Sequence, residues 1–236
     1  MENKDNNKKL KVVVIAGGGV YGIIPCNFLR ALCEKNIEKI DVIGGTSVGG
    51  ILSLHLSSYC DTIKLYDEFK NNVSNFFVRK LNNLINPFTS KYCSETLEDS
   101  LKKILPLKVS DCQKKFVVPS FSLKSVSPVI FHNFDESYNH MKIWKIARST
   151  SAAPMFYPPF SENILIDGGI LENLPIITTA SMICKYLGKK PSDLDIFAIG
   201  TGVTDKNLKR TKEQVSHYSK IDWAKNLLPI LITNGN

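Results

Sequence analysis

At 236 residues and 26.4 kDa, with 43% hydrophobic and 22% charged residues, the chain has the size and composition of one globular domain, or two at most. Those fractions exclude a disordered tail, a collagen-like repeat and a disulfide-stapled miniprotein, and no run approaches the roughly 20 apolar residues that cross a bilayer. Thirty Lys and Arg against 22 Asp and Glu give a net charge of +8, which suits an anionic partner such as nucleic acid or a phospholipid surface. Nucleic acid is set aside, because there is no zinc spacing or RNP-like aromatic strand and the lysines are dispersed. A solubilising surface bias is the competing explanation of the charge. The amino terminus, MENKDNNKKLK, lacks a signal-peptide pattern, so the expectation is a soluble, cytoplasmic protein whose mature chain starts there. Cys26, Cys33, Cys60, Cys93, Cys112 and Cys184 form no C-x-x-C pair and read as reduced thiols.

In chain order, Leu10 to Ala16 is a continuous β-branched run ending in three glycines, the pattern of a buried parallel strand and a tight turn. Ile23, Ile24, Phe28, Leu29 and Leu32 then recur at helical spacing from Tyr21 to about Lys35, where Asn36 would stop the helix. Ile40 to Ile43 predicts a second strand, followed by a glycine-rich turn and a small-residue helix to about Leu56. Apolar positions from Leu65 through Phe69, Val73, Phe76 and Phe77 to Leu81 and Leu84 predict one long helix over Asp61 to Ile85, and Glu95 to Leu105 predicts a shorter one beyond a loop at Pro87. Lys64, Lys70, Arg79, Lys80, Lys91, Lys102 and Lys103 ride on this section, either as solvated helix faces or as a basic cap facing a membrane. Strands are expected at Phe116 to Phe121, Val129 to Asn133, Ile164 to Asp167 and Asp195 to Ile199, and helices near Ile143 to Thr150 and Pro175 to Tyr186. The alternation predicts a three-layer α/β/α fold with a mainly parallel central sheet. Residues 1–10 read as a flexible terminus, 11–202 as the main α/β domain, and 203–236 as a helical tail with an apolar stretch at Leu227 to Ile232.

Gly45-Thr46-Ser47-Val48-Gly49 is a G-x-S-x-G pentapeptide between an expected strand and an expected helix. A strand that reverses sharply into a helix strains its central residue and crowds its neighbours, so Gly45 and Gly49 must be small. The Ser47 hydroxyl then stands at a helix amino terminus, whose free N–H groups favour the negative charge of acyl transfer. Gly17, Gly18, Gly19, Val20, Tyr21 and Gly22 follow the first strand, and adjacent parallel strands would bring this loop beside Ser47, its successive N–H groups forming an anion cradle. The same G-x-G-x-x-G spacing also fits a dinucleotide or flavin site, but the acidic residue such a site needs at the far end of the second strand is absent; Asp41 stands at its start. Asp167-Gly168-Gly169 ends another expected strand and offers a carboxylate at the same edge of the sheet. His217 follows Asp167 in the order of a Ser-Asp-His triad, yet it lies in a polar tail with no strand before it. His55, His132 and His140 lack metal-ligand spacing, so no metal and no other cofactor is called for.

With GGGVYG, GTSVG and DGG in this order, the sequence resembles the patatin-like phospholipase family, whose pattern is a glycine loop, a serine elbow and a late D-G-[G/A]. Ala147 to Pro154 with Tyr157 to Pro159, then Asn173 and Pro175, then Ile199 to Gly202, resemble further blocks of that family. Two positions depart from its pattern: Tyr21 stands where Arg or Lys is usual, and Ala16 where Asp is frequent. The resemblance implies a lipid acyl hydrolase with a Ser/Asp dyad, Ser47 the nucleophile and Asp167 its base. It implies an oxyanion hole in the loop Gly17, Gly18, Gly19, Val20 and Gly22, with the N–H groups of Gly18, Gly19 and Val20 as donors. Its substrate would be a phospholipid or another acyl lipid, met at a peripheral membrane surface. An ordinary aspartate is too weak a base for this, so the reading requires Asp167 to be partly desolvated.

Overall fold

A computed structural model describes residues 9–33, 37–79, 90–202, 211–219 and 222. In chain order the elements are β1 (Leu10–Ile15), α1 (Ile23–Cys33), β2 (Val42–Gly45), α2 (Val48–Tyr59), α3 (Thr62–Phe76), α4 (Ser94–Ile104), β3 (Lys115–Ser122), β4 (Ser127–His132), α5 (Ile143–Thr150), β5 (Leu165–Asp167), α6 (Ile176–Leu187), β6 (Leu194–Ile199) and the short α7 (Lys212–Ser216). The expected apolar stretch at Leu227 to Ile232, the stop at Asn36, the loop at Pro87 and nearly all of the amino terminus lie outside the described residues.

The sheet runs β4-β3-β2-β1-β6, with β1–β2, β1–β6 and β2–β3 parallel. β1 shows why it sits inside the sheet, between β2 and β6: Val13 and Ile15 enter one core while Val12 and Val14 enter another, so both faces are dry. Helices α1 to α5 cover the first face, and α6, through Ile183 and Ile176, covers the second. The three-layer α/β reading holds, with antiparallel additions from β4 and β5 along β3.

Those additions place the site. β2 pairs with β3 only as far as Gly44 opposite Val117, while β5 pairs with β3 from Ser122 back to Ser120, opposite Asp167. β4 occupies the other edge of β3 over Val117 to Ser122, so β2 and β5 share one edge and approach end to end. Three residue steps along β3, roughly 10 Å, separate their last pairs, at Val117 and Ser120. The sequence places Asp167 at the carboxyl edge by analogy with a parallel strand; the structure brings it to the end of β2 on a strand running the other way.

The long helix expected over Asp61 to Ile85 stops at Phe76. Asp61 caps its start by accepting from the Lys64 N–H at 2.8 Å. At its end the Tyr157 hydroxyl donates to the Phe76 carbonyl, and Phe77 packs edge-on against Tyr92. Arg79 then pairs with Tyr92 as an antiparallel bridge, so tertiary contacts override helical periodicity just where the periodicity gives no warning. Leu81 and Leu84 lie outside the described residues.

Candidate active site

Ser47 links β2 to α2 with φ 56° and ψ −125°, a backbone that an L-residue adopts only when its surroundings hold it there. A methyl group on Gly45 would lie 2.3 Å from the Gly49 carbonyl oxygen, and one on Gly49 would lie 2.3 Å from that of Ile15, so strand, turn and helix meet too closely for a side chain at either glycine. Ser53, one turn into α2, donates to the carbonyls of Gly44 and Gly49 and ties the helix back to the strand. The Ser47 N–H donates to Thr150 Oγ1 at 3.0 Å, and the Thr150 hydroxyl donates to the Pro119 carbonyl at 2.7 Å. The elbow is thereby anchored to both α5 and β3.

Asp167 is 2% exposed. Burial pushes its pKa up to about 6, against the opposing pull of the Gly169 N–H, which donates to Oδ1 at 2.7 Å, and of the nearby Ser47 side chain. The desolvation that a carboxylate base requires is present, and Ser47 is among the few groups that act on the carboxyl. Gly168 and Gly169 are both buried, in a single 3-10 turn that leaves β5.

The glycine loop lies alongside. A methyl group on Gly17 would come within 3.1 Å of Ser47 Cβ, and Gly19 takes φ +58°, a left-handed conformation suited to glycine. Gly19 to Gly22 form a 3-10 turn ahead of α1, so the expected helix starts at Ile23 rather than Tyr21. No described residue accepts a hydrogen bond from the N–H groups of Gly18 and Gly19. Val20 and Tyr21 are half exposed, and Gly22 is buried against Val48 and Phe69.

The remaining candidates fall elsewhere. Asp41 accepts from the Lys11 N–H at 2.8 Å at the amino end of the sheet, away from the glycine loop, so the dinucleotide reading has no ribose partner in place. His217 is exposed just beyond α7, and no histidine acts on the Asp167 carboxyl. His55 is bonded to Glu68 at 2.7 Å, His132 is packed against Phe134, Tyr138 and Tyr186, and His140 is exposed. Among the described residues no cluster of three His, Cys, Asp or Glu side chains could hold a metal ion, and Cys26, Cys60, Cys93, Cys112 and Cys184 are free thiols. Sequence reading assigned no role to Thr150, Asn173 or Thr201, which all bond the elbow or the glycine loop. The one available signal was their place as small polar residues inside the blocks that resemble the family.

A profile described as Patatin-like phospholipase matches residues 13–180 of the chain, which contain the glycine loop, Ser47 and Asp167. Among curated relatives, Patatin-like protein 2 of Oryza sativa subsp. indica is 28% identical over 233 residues, covering 81% of this chain and 57% of its own length. Patatin-like protein 1 of Arabidopsis thaliana is 27% identical over 286 residues, covering 94% of this chain and 68% of its own. The chain thus spans between about half and two thirds of the curated relatives it matches. Among solved structures, VipD from Legionella pneumophila superposes with a TM-score of 0.53 over 97% of this chain and 56% of its own, at 15% identity, a likeness of fold alone.

Proposed function

The chain belongs to the patatin-like phospholipase family, and on that premise we propose that it hydrolyses fatty acyl esters of membrane lipids through an acyl-enzyme, with Ser47 as nucleophile and Asp167 as its only base. The observation that carries this is the buried Asp167 carboxyl, raised to about pKa 6 and close enough to the Ser47 side chain to feel its pull, with no imidazole between them. At neutral pH most of it is ionised, yet it is far more basic than a solvated aspartate.

The steps follow from the positions. Ser47 Oγ attacks the ester carbonyl carbon as its proton passes to Asp167, and the carbonyl oxygen takes the negative charge. The loop N–H groups and the amino terminus of α2 stabilise that charge. As the tetrahedral species collapses, the C–O bond to the alcohol breaks and Asp167 returns the proton to the leaving oxygen, so lysolipid or another alcohol departs and Ser47 holds the acyl group. Water then attacks the acyl carbon and gives its proton to Asp167. The second collapse breaks the bond to Ser47, which recovers the proton, and the fatty acid leaves.

A lipid substrate is supported by the rim as well. Val20 and Tyr21 belong to the glycine loop, Leu171 follows the DGG turn, Ile177 lies in the first turn of α6, and all four are exposed apolar or aromatic side chains. Among the described residues no helix is long and apolar enough to cross a membrane, so contact with lipid would be peripheral. Incubation with vesicles of defined phospholipids and triacylglycerol, followed by mass spectrometry of released acids, tests the reading. Free fatty acid and the matching lysolipid are expected from the wild type and not from Ser47→Ala; equal release by both would overturn it.

A further inference from the structure

The proposed chemistry needs N–H groups aimed at the oxyanion, and a run of three glycines does not by itself fix where they point. In this chain the Gly17 carbonyl oxygen accepts from Thr201 Oγ1 at 2.8 Å and from Asn173 Nδ2 at 3.3 Å, while the Gly17 N–H donates to the Asn173 carbonyl at 3.0 Å. Thr201 and Asn173 are each 3% exposed. A trans peptide is planar and carries its C=O and N–H on opposite sides, and no described peptide is cis. Holding the Gly17 oxygen toward Thr201 and Asn173 therefore turns the Gly18 N–H the other way, and no described residue accepts from it.

The glycines admit the two donors. A methyl group on Gly17 would sit 2.4 Å from Asn173 Oδ1, and one on Gly18 would sit 2.2 Å from Thr201 Oγ1. Any side chain at either position would push the corresponding donor off the Gly17 carbonyl. From this we infer that Thr201 and Asn173 are positioning residues that act through the Gly17–Gly18 peptide and hold the Gly18 N–H toward the oxyanion created by Ser47. They touch no substrate. The inference rests on the acyl-transfer reading and adds to it the part of the fold that aims its donor, carried by the segments after β5 and β6.

The test is hydrolysis of p-nitrophenyl butyrate, with active sites counted by fluorophosphonate titration so that misfolded protein does not enter the rate. Thr201→Val keeps the shape and removes the donor; Thr201→Ser keeps the donor. Loss of a whole oxyanion donor lowers kcat by roughly 10²- to 10³-fold, so a mis-aimed one should lower it by about 10- to 100-fold. KM should stay within about twofold, the pH profile should not move because Asp167 is untouched, and Thr201→Ser should restore the rate. If Thr201→Val yields no folded protein, Thr201→Ala replaces it with the same expectation. A variant at full kcat per active site, a loss that Thr201→Ser shares, or a shifted pH profile would overturn the clamp alone. A wild type that neither hydrolyses the ester nor takes the probe would overturn the acyl-transfer reading and the clamp with it.

Discussion

Asp167 is the residue on which stability and activity pull in opposite directions. Its carboxyl titrates near 6 in the fold, against about 3.9 in an unfolded chain. A group whose folded pKa is raised stabilises fully below the unfolded value and loses that contribution as pH rises through the folded one. At pH 8 the ionised, buried carboxylate thus costs on the order of 3 kcal/mol relative to acid conditions. Asp167→Asn, which keeps an oxygen to accept from Gly169, should therefore melt above the wild type at pH 8, and the gap should close by about pH 4. The same change should lower hydrolysis by roughly 10²- to 10⁴-fold, as loss of a general base does, while His217→Ala stays within a few fold. A wild-type rate that climbs through an apparent pKa near 6, and a collapse of activity in Asp167→Asn, are the expected readouts; a collapse in His217→Ala would restore the triad. Ser47 is legible in the sequence because the glycines that fit its elbow flank it directly. Thr150, Asn173 and Thr201 are not, because they reach the elbow and the glycine loop across 103, 156 and 184 residues, and separations of that kind leave no local pattern.

Among the elements, β5 has the least length and the most consequence. Its three residues, Leu165–Asp167, take up the edge of β3 that β2 leaves, and the turn beyond it fits only because Gly168 has no side chain: a methyl group there would lie 2.3 Å from the Pro119 carbonyl oxygen. Gly168→Ala must push β5 off β3 or bend the turn, and either displaces Asp167 from Ser47. Such overpacking costs about 1–3 kcal/mol, so the variant should unfold at lower urea and lose most of its esterase rate. Gly188→Ala is the comparison. It ends α6 at φ +63° with open space around it, so it carries only the backbone cost of roughly 1 kcal/mol and should keep its rate per active site. If Gly168→Ala retains wild-type turnover, the end-to-end meeting of β2 and β5 is not what sets the geometry. The sequence announces the strands through β-branched runs and the parallel core through βα alternation. It does not announce that β5 runs backward, since strand direction is a property of the pairing and not of the run. Nor does it announce that α3 ends at Phe76, where Tyr157 and Tyr92, both distant in sequence, capture the chain.

For the whole molecule, the question is which end meets the lipid. Lys64, Lys102 and Lys103 do not converge on the site, whereas Lys91 lies against Tyr92, beside the Phe77 that packs by Gly19. Thr62, at the start of α3, lines a pocket of about 490 Å³ with Ile37 and Glu38 from the amino end of the sheet, so Lys64 lies far from Ser47. α4 starts near Tyr92 and Phe77, which packs by Gly19, and its last turn carries Lys102 over the Trp144 ring, at the end of α5 opposite to the Thr150 that bonds Ser47, so Lys102 and Lys103 are also remote. Lys64 sits 4.0 Å from Glu68 and over the Tyr59 ring, and Lys102 is bonded to Asp99 at 3.1 Å, as on a solvated face. Vesicle binding should therefore survive Lys102→Glu with Lys103→Glu within a few fold, and should drop at least tenfold in Tyr21→Glu with Ile177→Glu, while both pairs keep hydrolysis of a soluble short-chain ester. The opposite ranking in vesicle sedimentation would move the lipid face to the basic helices. Beneath these lies the claim that a serine at this elbow carries the acyl group, and the most direct measurement is fluorophosphonate labelling of the folded wild type followed by peptide mapping. One adduct, on Ser47, absent from Ser47→Ala and slowed in Asp167→Asn, is the result expected; an adduct on another residue, or undiminished labelling of Ser47→Ala, would contradict it.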